Sequence, residues 1–538
     1  MTQSTALPEK TSLAYDEEAV RTASSSPKDA LRDIQEATDH EVQMSLLQGI
    51  KLYPKAVAWS LFLSTAVIME GFDTVLMNSF YAQPQFQRKF GSQNAAGDYY
   101  IPAAWQAGLS NAVRVGEIFG LFINGWSAER LGYRWTMIVS LVSLTAFVCL
   151  PFFAQNLGTL LAGQLTMGVP FGVFQTVTTV YASEVCPVQL RNYLTTYVNL
   201  CWVMGQLLGT GALRGVLHRS DEWAFRIPFA LQWMWPVPLI LGIYFAPESP
   251  WLLVRENRLS EASHSLQRLT TNADASFDAQ KTIAMMVATT EHEKELVNGA
   301  TYIDCFRGIN LVRTEIVCLI WMAQALCGAA IMSWSTYFFR QAGLPVDQAF
   351  NMSLAQYGSG FVGTILSWLL MKYVGRRTLF VGGLAVLALC LVIIGFTGIA
   401  PKHEPTYWAT GGMLVFFTFC YNCSVGPVVY SLVTELASVR LRQKTVALAR
   451  IMFNVGAIIN SVITPYMLNS EALNWGAKSG FFWAGICSCF LAWAFFRVPE
   501  PRSRTYGELD LLFENRVSPR KFSKMKVVVA DQTVLRER

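Results

Sequence analysis

Apolar residues gather in blocks of twenty or more along this chain, and short polar stretches between the blocks hold most of its charge. Blocks of that length match a bilayer's hydrocarbon core crossed by a helix. Six lie before residue 246, at approximately 57–81, 103–126, 135–155, 158–181, 193–214 and 226–245. Six more follow residue 312, at approximately 313–339, 352–372, 378–399, 408–434, 446–469 and 479–497. Between the sets, 247–312 is polar, contains EHEKELVNG and is expected to hold short helices. The pattern predicts an all-α membrane protein with twelve transmembrane helices in two six-helix bundles.

The expected plan is a disordered tail over 1–55, a bundle over 56–246, a linker over 247–312, a second bundle over 313–498 and a tail over 499–538. Six spans before the linker and six after it put the linker and both termini on one side. Short loops carry nearly balanced Lys and Arg, with Arg214, Arg219 and Arg226 crowding one loop, so they decide orientation weakly. The basic residues of the linker and C-terminal tail favour the cytosol for all three. The first apolar run starts near Val57, too late and too long for a cleaved signal peptide.

Composition agrees: 52% of the 538 residues are hydrophobic and 15% charged, with a mean hydropathy of +0.32. A net charge of +5 without an aromatic-interleaved basic stripe argues against a nucleic-acid partner. The 11 cysteines are scattered, and Cys201, Cys318, Cys390 and Cys487 fall inside apolar runs as small core residues. Cys420 and Cys423 spell C-x-x-C, but without a second pair or a histidine at ligand spacing no metal and no other cofactor is expected. Arg520, Lys521, Lys524 and Lys526 in the tail either face water or lie near anionic lipid.

The two halves echo each other. Glu184 stands seven residues before Arg191 in YASEVCPVQLR, and Glu435 seven before Arg442 in YSLVTELASVRLR, an offset of 251. PESPWLL from Pro247 and PEPRSRT from Pro499 are offset by 252, and Gly132 in RLGYR and Gly375 in YVGRR by 243. Matches at nearly constant offset indicate a duplicated unit. Paired six-helix halves with a site between them are the architecture of many secondary transporters.

These motifs resemble the major facilitator superfamily, and within it the sugar porter family, over roughly residues 55–515. The landmarks are G-x-x-x-E-R-x-G-Y-R from Gly125, Y-x-S-E-x-x-P-x-x-x-R from Tyr181, PESPWLL, Q-x-x-x-G from Gln324, YVGRR, GPVVY from Gly426 and PEPRSRTYGELDLLF. The chain departs from hexose-type porters at Gln164, where those usually carry Arg, at Ala325, where they carry a paired Gln, and at Ala330, where they carry Asn. With EGFD, AGQLTMGVPFGVFQ and YLTTYVNLCWVMGQ, it is similar to the fungal alpha-glucoside and maltose permeases. That resemblance implies a proton symporter of the plasma membrane, functional as a monomer, taking a small-molecule sugar and a proton as its partners within the lipid bilayer.

Ionised side chains at the bilayer centre cost about 2.5–3.5 kcal/mol each on insertion scales, so those present face an interior or one another. Glu70 and Asp73, three apart in AVIMEGFDTVLMNSF, share one helix face. Arg114 and Glu117 have the same spacing, and Arg450 lies in the eleventh span. Two acids so close in a poorly hydrated site do not both ionise cheaply, so one is expected to gain a proton on one side and lose it on the other. Arg114 has the simpler reading of neutralising Glu117. Resemblance to the hexose branch would pair Asp73 with the arginine that is Gln164 here; the expected substitute is Arg450, aided by Glu70 and Glu117.

A sugar needs amide or hydroxyl partners and an aromatic platform. Asn199 and Gln206 lie seven apart on one stripe of span five. Gln324, Tyr430 and Asn454 fall at positions the family uses for sugar contact, judged from the matching motifs, and Gln164 is a further substrate-binding candidate. Each has an alternative as an interhelical hydrogen bond. Trp334 either stacks on sugar or joins an interfacial aromatic belt, with the belt preferred. The G-x-x-x-G pairs Gly205–Gly209 and Gly168–Gly172 suit close helix packing better than ligand approach.

Glu129, Arg130, Arg134, Glu184, Arg191, Arg376, Arg377, Glu435 and Arg442 cluster at the predicted cytosolic helix ends. They either gate, as ion pairs between rocking halves, or simply solvate those ends. MKYVGRR lacks the acid of AERLGYR, so any such lock is asymmetric. The expected function is proton-coupled import of alpha-glucosides by alternating access. A passive facilitator and a non-transporting sugar sensor are the rivals; an enzyme is not expected, because no nucleophile–base pair or metal set has supporting context.

Overall fold

The computed structural model describes residues 44, 46–95, 97–271, 277–297, 301–401, 403–438, 440–502, 504, 506–528 and 533–536. Among these residues, nine helices are long and apolar enough to cross a bilayer. One of them, Ala103–Phe152, is 50 residues long. It breaks at buried Gly132, whose φ of 78° and ψ of 170° suit glycine, so it supplies the second and third spans. Val188–Val216 and Val346–Tyr373 are as long as their neighbours but more polar, because they spend side chains such as Gln206, Thr210, Ser353 and Gln356 on the protein interior. As the fifth and eighth spans they complete the twelve.

The other spans are Pro54–Phe80, Leu157–Val185, Trp223–Phe245, Gly308–Leu326, Arg376–Thr397, Glu404–Leu436, Arg442–Leu468 and Ser479–Arg497. Apolar side chains left bare on their outer faces, such as Phe122, Leu241, Leu389 and Phe396, are the surface that meets lipid. In the second half, spans seven and ten are discontinuous. The seventh ends at Leu326 and resumes as Ala329–Ser333 and Ser335–Ala342, with Gly328 left-handed at φ 94°. The tenth breaks at Ser424.

Glycine sets the close approaches predicted for the G-x-x-x-G pairs. A Cβ on Gly205 would lie 2.1 Å from the Ile68 carbonyl oxygen, and one on Gly71 2.1 Å from that of Trp202, so spans one and five touch backbone to backbone. Gly168 and Gly172 lie equally close to the Val113 and Glu117 carbonyls, which binds span four to span two.

The chain divides into two compact units, residues 1–56, 184–190 and 247–296, and residues 57–183, 191–246 and 297–538. In the first, Leu46–Leu52 is helical where a disordered tail was expected; the rest of that tail, 1–43 and 45, lies outside the described residues. The helix ends where Thr271 donates its amide to the Leu52 carbonyl (2.9 Å) and its hydroxyl to that of Lys51 (2.8 Å), a tie available because Leu52 and Tyr53 are buried. Pro250–Arg255, Leu259–Leu269 and Ala279–Val297 are the linker helices.

In the second unit the described part of the tail beyond residue 499 is structured. Helix Tyr506–Glu514 buries Leu509, Leu512 and Phe513, and Met525–Val528 pairs antiparallel with Thr533–Arg536. Arg313, 4% exposed at the start of span seven, donates to the Leu436 carbonyl (2.9 Å), pairs with Asp510 and lies 4.7 Å from the Phe513 ring. Arg520 stacks 4.7 Å from the Phe495 ring, so its cation rests on an aromatic face at the end of span twelve. Before span seven, the Thr301 backbone amide and hydroxyl both donate to Asp304, a capping box that holds this carboxyl below its ordinary range.

Candidate functional site

Span one carries Glu70 and Asp73 with 1% and 0% of their surfaces exposed. They share the inward stripe that their spacing predicts, yet they meet different partners. Asp73 Oδ1 accepts from Gln232 Nε2 at 2.9 Å and Gln164 Nε2 at 3.4 Å. Its Oδ2 is buried without a partner, as are Gln164 Oε1 and Gln232 Oε1. The carboxyl thus has two neutral amides as hydrogen-bond partners on Oδ1, while its own Oδ2 and the oxygens of both amides are left without a donor. Such a group lacks a donor, and a proton on Asp73 supplies one.

The partners of Asp73 in this structure are amides, not Arg450, the expected substitute for the missing arginine. Gln164, on the fourth span, keeps its place beside Asp73 as an amide, and Gln232 of the sixth span completes the pair. The reason is steric and electrostatic: Arg450 is held elsewhere, its guanidinium 5.4 Å from the Trp321 ring and 4.8 Å from that of Phe453, with a hydrogen bond to Gln175 Oε1. Gln175 Nε2 in turn donates to Glu70 Oε1. Arg114 Nη1 donates to both carboxylate oxygens of Glu117, at 2.8 and 2.9 Å, the neutralising role open to it in the sequence, and stands 3.9 Å from Glu70. Glu117, Arg114, Glu70, Gln175 and Arg450 form one polar chain from the first six spans to the eleventh.

Of the sugar-contact candidates, Gln164 is taken up by Asp73. Gln324 donates to the Gly426 carbonyl at 2.7 Å, and its own carbonyl accepts from Tyr421 Oη at 3.2 Å, so it ties the break in span seven to the break in span ten. Its Oε1 remains buried without a partner. Asn199 Nδ2, Gln206 Nε2 and Asn454 Oδ1 are buried and unpartnered too. Tyr430 meets Trp321 edge to face at 6.0 Å, beside Arg450. Trp334 is not in an aromatic belt: it is 2% exposed and stacks on Tyr81 at 5.2 Å, because the helix restarts after Gly328 and turns it inward.

The charged helix ends divide by role. Glu184 pairs with Arg255 and accepts from Ser249 Oγ, both at 2.5 Å, within the smaller unit. Arg376 pairs with Glu435 at 3.3 Å, spans nine to ten. Neither pair crosses from the first six spans to the last six. Arg377 caps span twelve through the Val498 and Phe495 carbonyls, both at 2.8 Å. Arg130 lies over Trp126 and Arg134 over Trp135 and Tyr244, Glu129 is exposed, and Arg191 and Arg442 stand near the starts of spans five and eleven.

Further polar contacts between the halves lie at the opposite helix ends, to which the sequence pattern assigns no role. Asn78 donates to the Ser333 carbonyl (3.1 Å), Ser79 meets Thr336 (3.0 Å), and Asn469 donates to the Ile101 carbonyl (2.9 Å). Arg214 of span five and His218 just beyond its end both reach Asp347 of span eight at 3.1 Å, and Arg214 also reaches Asn351 at 2.8 Å. Gln175 and Gln232 are further site residues that sequence reasoning missed. Their signal was present, since each is an amide inside an apolar run.

Twelve spans in two similar halves, with broken helices and buried acids in the interior, define a secondary transporter of the major facilitator fold. The chain belongs to the sugar (and other) transporter family, whose model matches residues 59–513. It is 43% identical over 503 residues to a general alpha-glucoside permease of Saccharomyces cerevisiae, covering 93% of this chain and 82% of that one. Identity to maltose permease MAL31 of the same yeast is 44% over 505 residues, with the same coverage. In fold it matches the xylose transporter XylE of E. coli in a partially occluded inward-open conformation, with a TM-score of 0.68 at 16% identity, over 84% of this chain and 99% of that one.

Proposed function

We propose that this protein imports alpha-glucosides of the maltose type together with protons, across the plasma membrane, as a monomer with both termini in the cytosol. The relatives named for alpha-glucosides and maltose support the substrate class. The observation that carries the proton reading is Asp73, fully buried with two amide partners and an unpartnered Oδ2. The interior groups support it by count: Glu70, Asp73 and Glu117 against Arg114 and Arg450 leave one negative charge in excess, which one proton cancels. The buried, unpartnered amide atoms Asn199 Nδ2, Gln206 Nε2, Gln324 Oε1 and Asn454 Oδ1 are suited to sugar hydroxyls.

One proton per sugar is energetically sufficient. A gradient of two pH units contributes about 2.7 kcal/mol and a potential of 100 mV about 2.3 more. The sum of about 5 kcal/mol supports a concentration ratio of between three and four decades. The contacts at the Asn78 and Asp347 end close the outer side in this reading, and rocking of the halves opens it.

The test is uptake of labelled maltose, sucrose, trehalose and glucose by a host lacking its own permeases, with and without an uncoupler. Maltose accumulation that collapses with uncoupler, alongside alkalinisation of an unbuffered medium, is the expected result. Maltose entry that continues undiminished without a gradient identifies a passive facilitator instead.

A further inference from the structure

Glu70 belongs to the first half and Arg450 to the second, and one amide, that of Gln175, stands between them. Its two hydrogen bonds fix its orientation, with the NH2 toward the carboxylate and the carbonyl toward the guanidinium. The flipped amide would set donor against donor and acceptor against acceptor. Arg114 is committed to Glu117, so Gln175 is the hydrogen-bond donor that Glu70 receives, and Glu70 Oε2 is buried without one. We infer that Gln175 is a positioning residue for coupling. It keeps Glu70 and Arg450 from closing into a direct ion pair, and it makes the bond between the halves conditional on whether Glu70 carries a proton.

The physical step is small. With Glu70 ionised, the carboxylate holds the amide so that its carbonyl faces Arg450, and the halves are joined at this level. When Glu70 takes a proton from hydronium, a carboxyl O–H bond forms as a hydronium O–H bond breaks and water leaves; the anion is lost and the carboxyl becomes a donor. The amide is then free to turn, and the Arg450 contact weakens. The charged and titratable groups around Glu70 are Arg114 and Glu117 of span two, Asp73 on its own helix, Tyr430 of span ten and Arg450 of span eleven. None of them replaces the amide, because a fixed cation in its place would pair with Glu70 in every state.

This inference rests on the proton-coupled reading, and its test separates the two. Q175L and Q175E are expressed in a host without its own permeases, with surface abundance measured. Accumulation of labelled maltose under an imposed pH gradient is compared with tracer exchange at equal pH, across the mildly acidic to neutral range. Q175L is expected to lose accumulation by about 5- to 150-fold, the usual range of coupling between sites, while exchange persists with a flattened pH profile. Q175E, matched in size but able to pair with Arg450 directly, is expected to lose accumulation too, and it decides the matter if Q175L does not reach the membrane. Wild-type accumulation and pH profile in the variants overturn the inference, as does a loss of exchange and accumulation in the same proportion. Failure of the wild-type protein to accumulate maltose removes the proton-coupled reading, and this inference with it.

Discussion

At the scale of single residues, the proposed proton coupling turns on Asp73. Asp73→Asn keeps the shape and supplies a permanent N–H donor where the proton would sit, so it mimics the protonated carboxyl. Exchange of labelled maltose is expected to continue and accumulation under a pH gradient to vanish; the same preparation read by both assays decides it. Glu70, Asp73, Arg114, Glu117 and Arg450 were legible because a charge inside an apolar run is too costly to be incidental. Gln175 and Gln232 were not, because an amide in a span is cheap enough to serve many purposes. The placement of Arg450 away from Asp73 was not legible for a related reason. Sequence places both in the interior, but only the packing of Trp321 and Phe453 against the guanidinium says which acid it serves.

At the scale of helices, the glycines make opposite predictions by position. Gly205→Ala forces a Cβ to 2.1 Å from the Ile68 carbonyl oxygen and is expected to destabilise the protein by about 1–3 kcal/mol, the usual cost of overpacking. Gly358→Ala, in span eight with no atom within 4 Å, is expected to gain about 0.5–1 kcal/mol from helix propensity. Thermal unfolding in detergent compares them. Asp510→Ala leaves Arg313 buried without its carboxylate. A loss of about 3 kcal/mol is expected, at the low end for a broken buried pair because Asp510 is partly exposed. An unchanged melting temperature would mean that the tail helix does not contribute to stability. The packing glycines could be read from G-x-x-x-G spacing. The docked tail could not, since its apolar residues Leu509, Leu512 and Phe513 find their cover only in three dimensions.

At the scale of the whole molecule, twelve spans, duplication and family were legible from block lengths and motif offsets. Which ends of the halves touch was not, because one sequence serves every state of the cycle. Asp347→Ala removes the partner shared by Arg214 and His218, both exposed enough that each pair contributes only about 0.2–1 kcal/mol. A shift of a few-fold toward the state open at that end follows. It is read by faster labelling of an added cysteine at Ser79, now buried against Thr336; an unchanged labelling rate would separate this clasp from the gate. The most direct measurement of proton-coupled import is simultaneous flux of protons and labelled maltose in liposomes holding the purified protein. The expected result is one proton entering with each sugar, and no sugar-driven proton flux in the Asp73→Asn protein. Maltose entry without protons, or an undiminished proton flux in the variant, would contradict it.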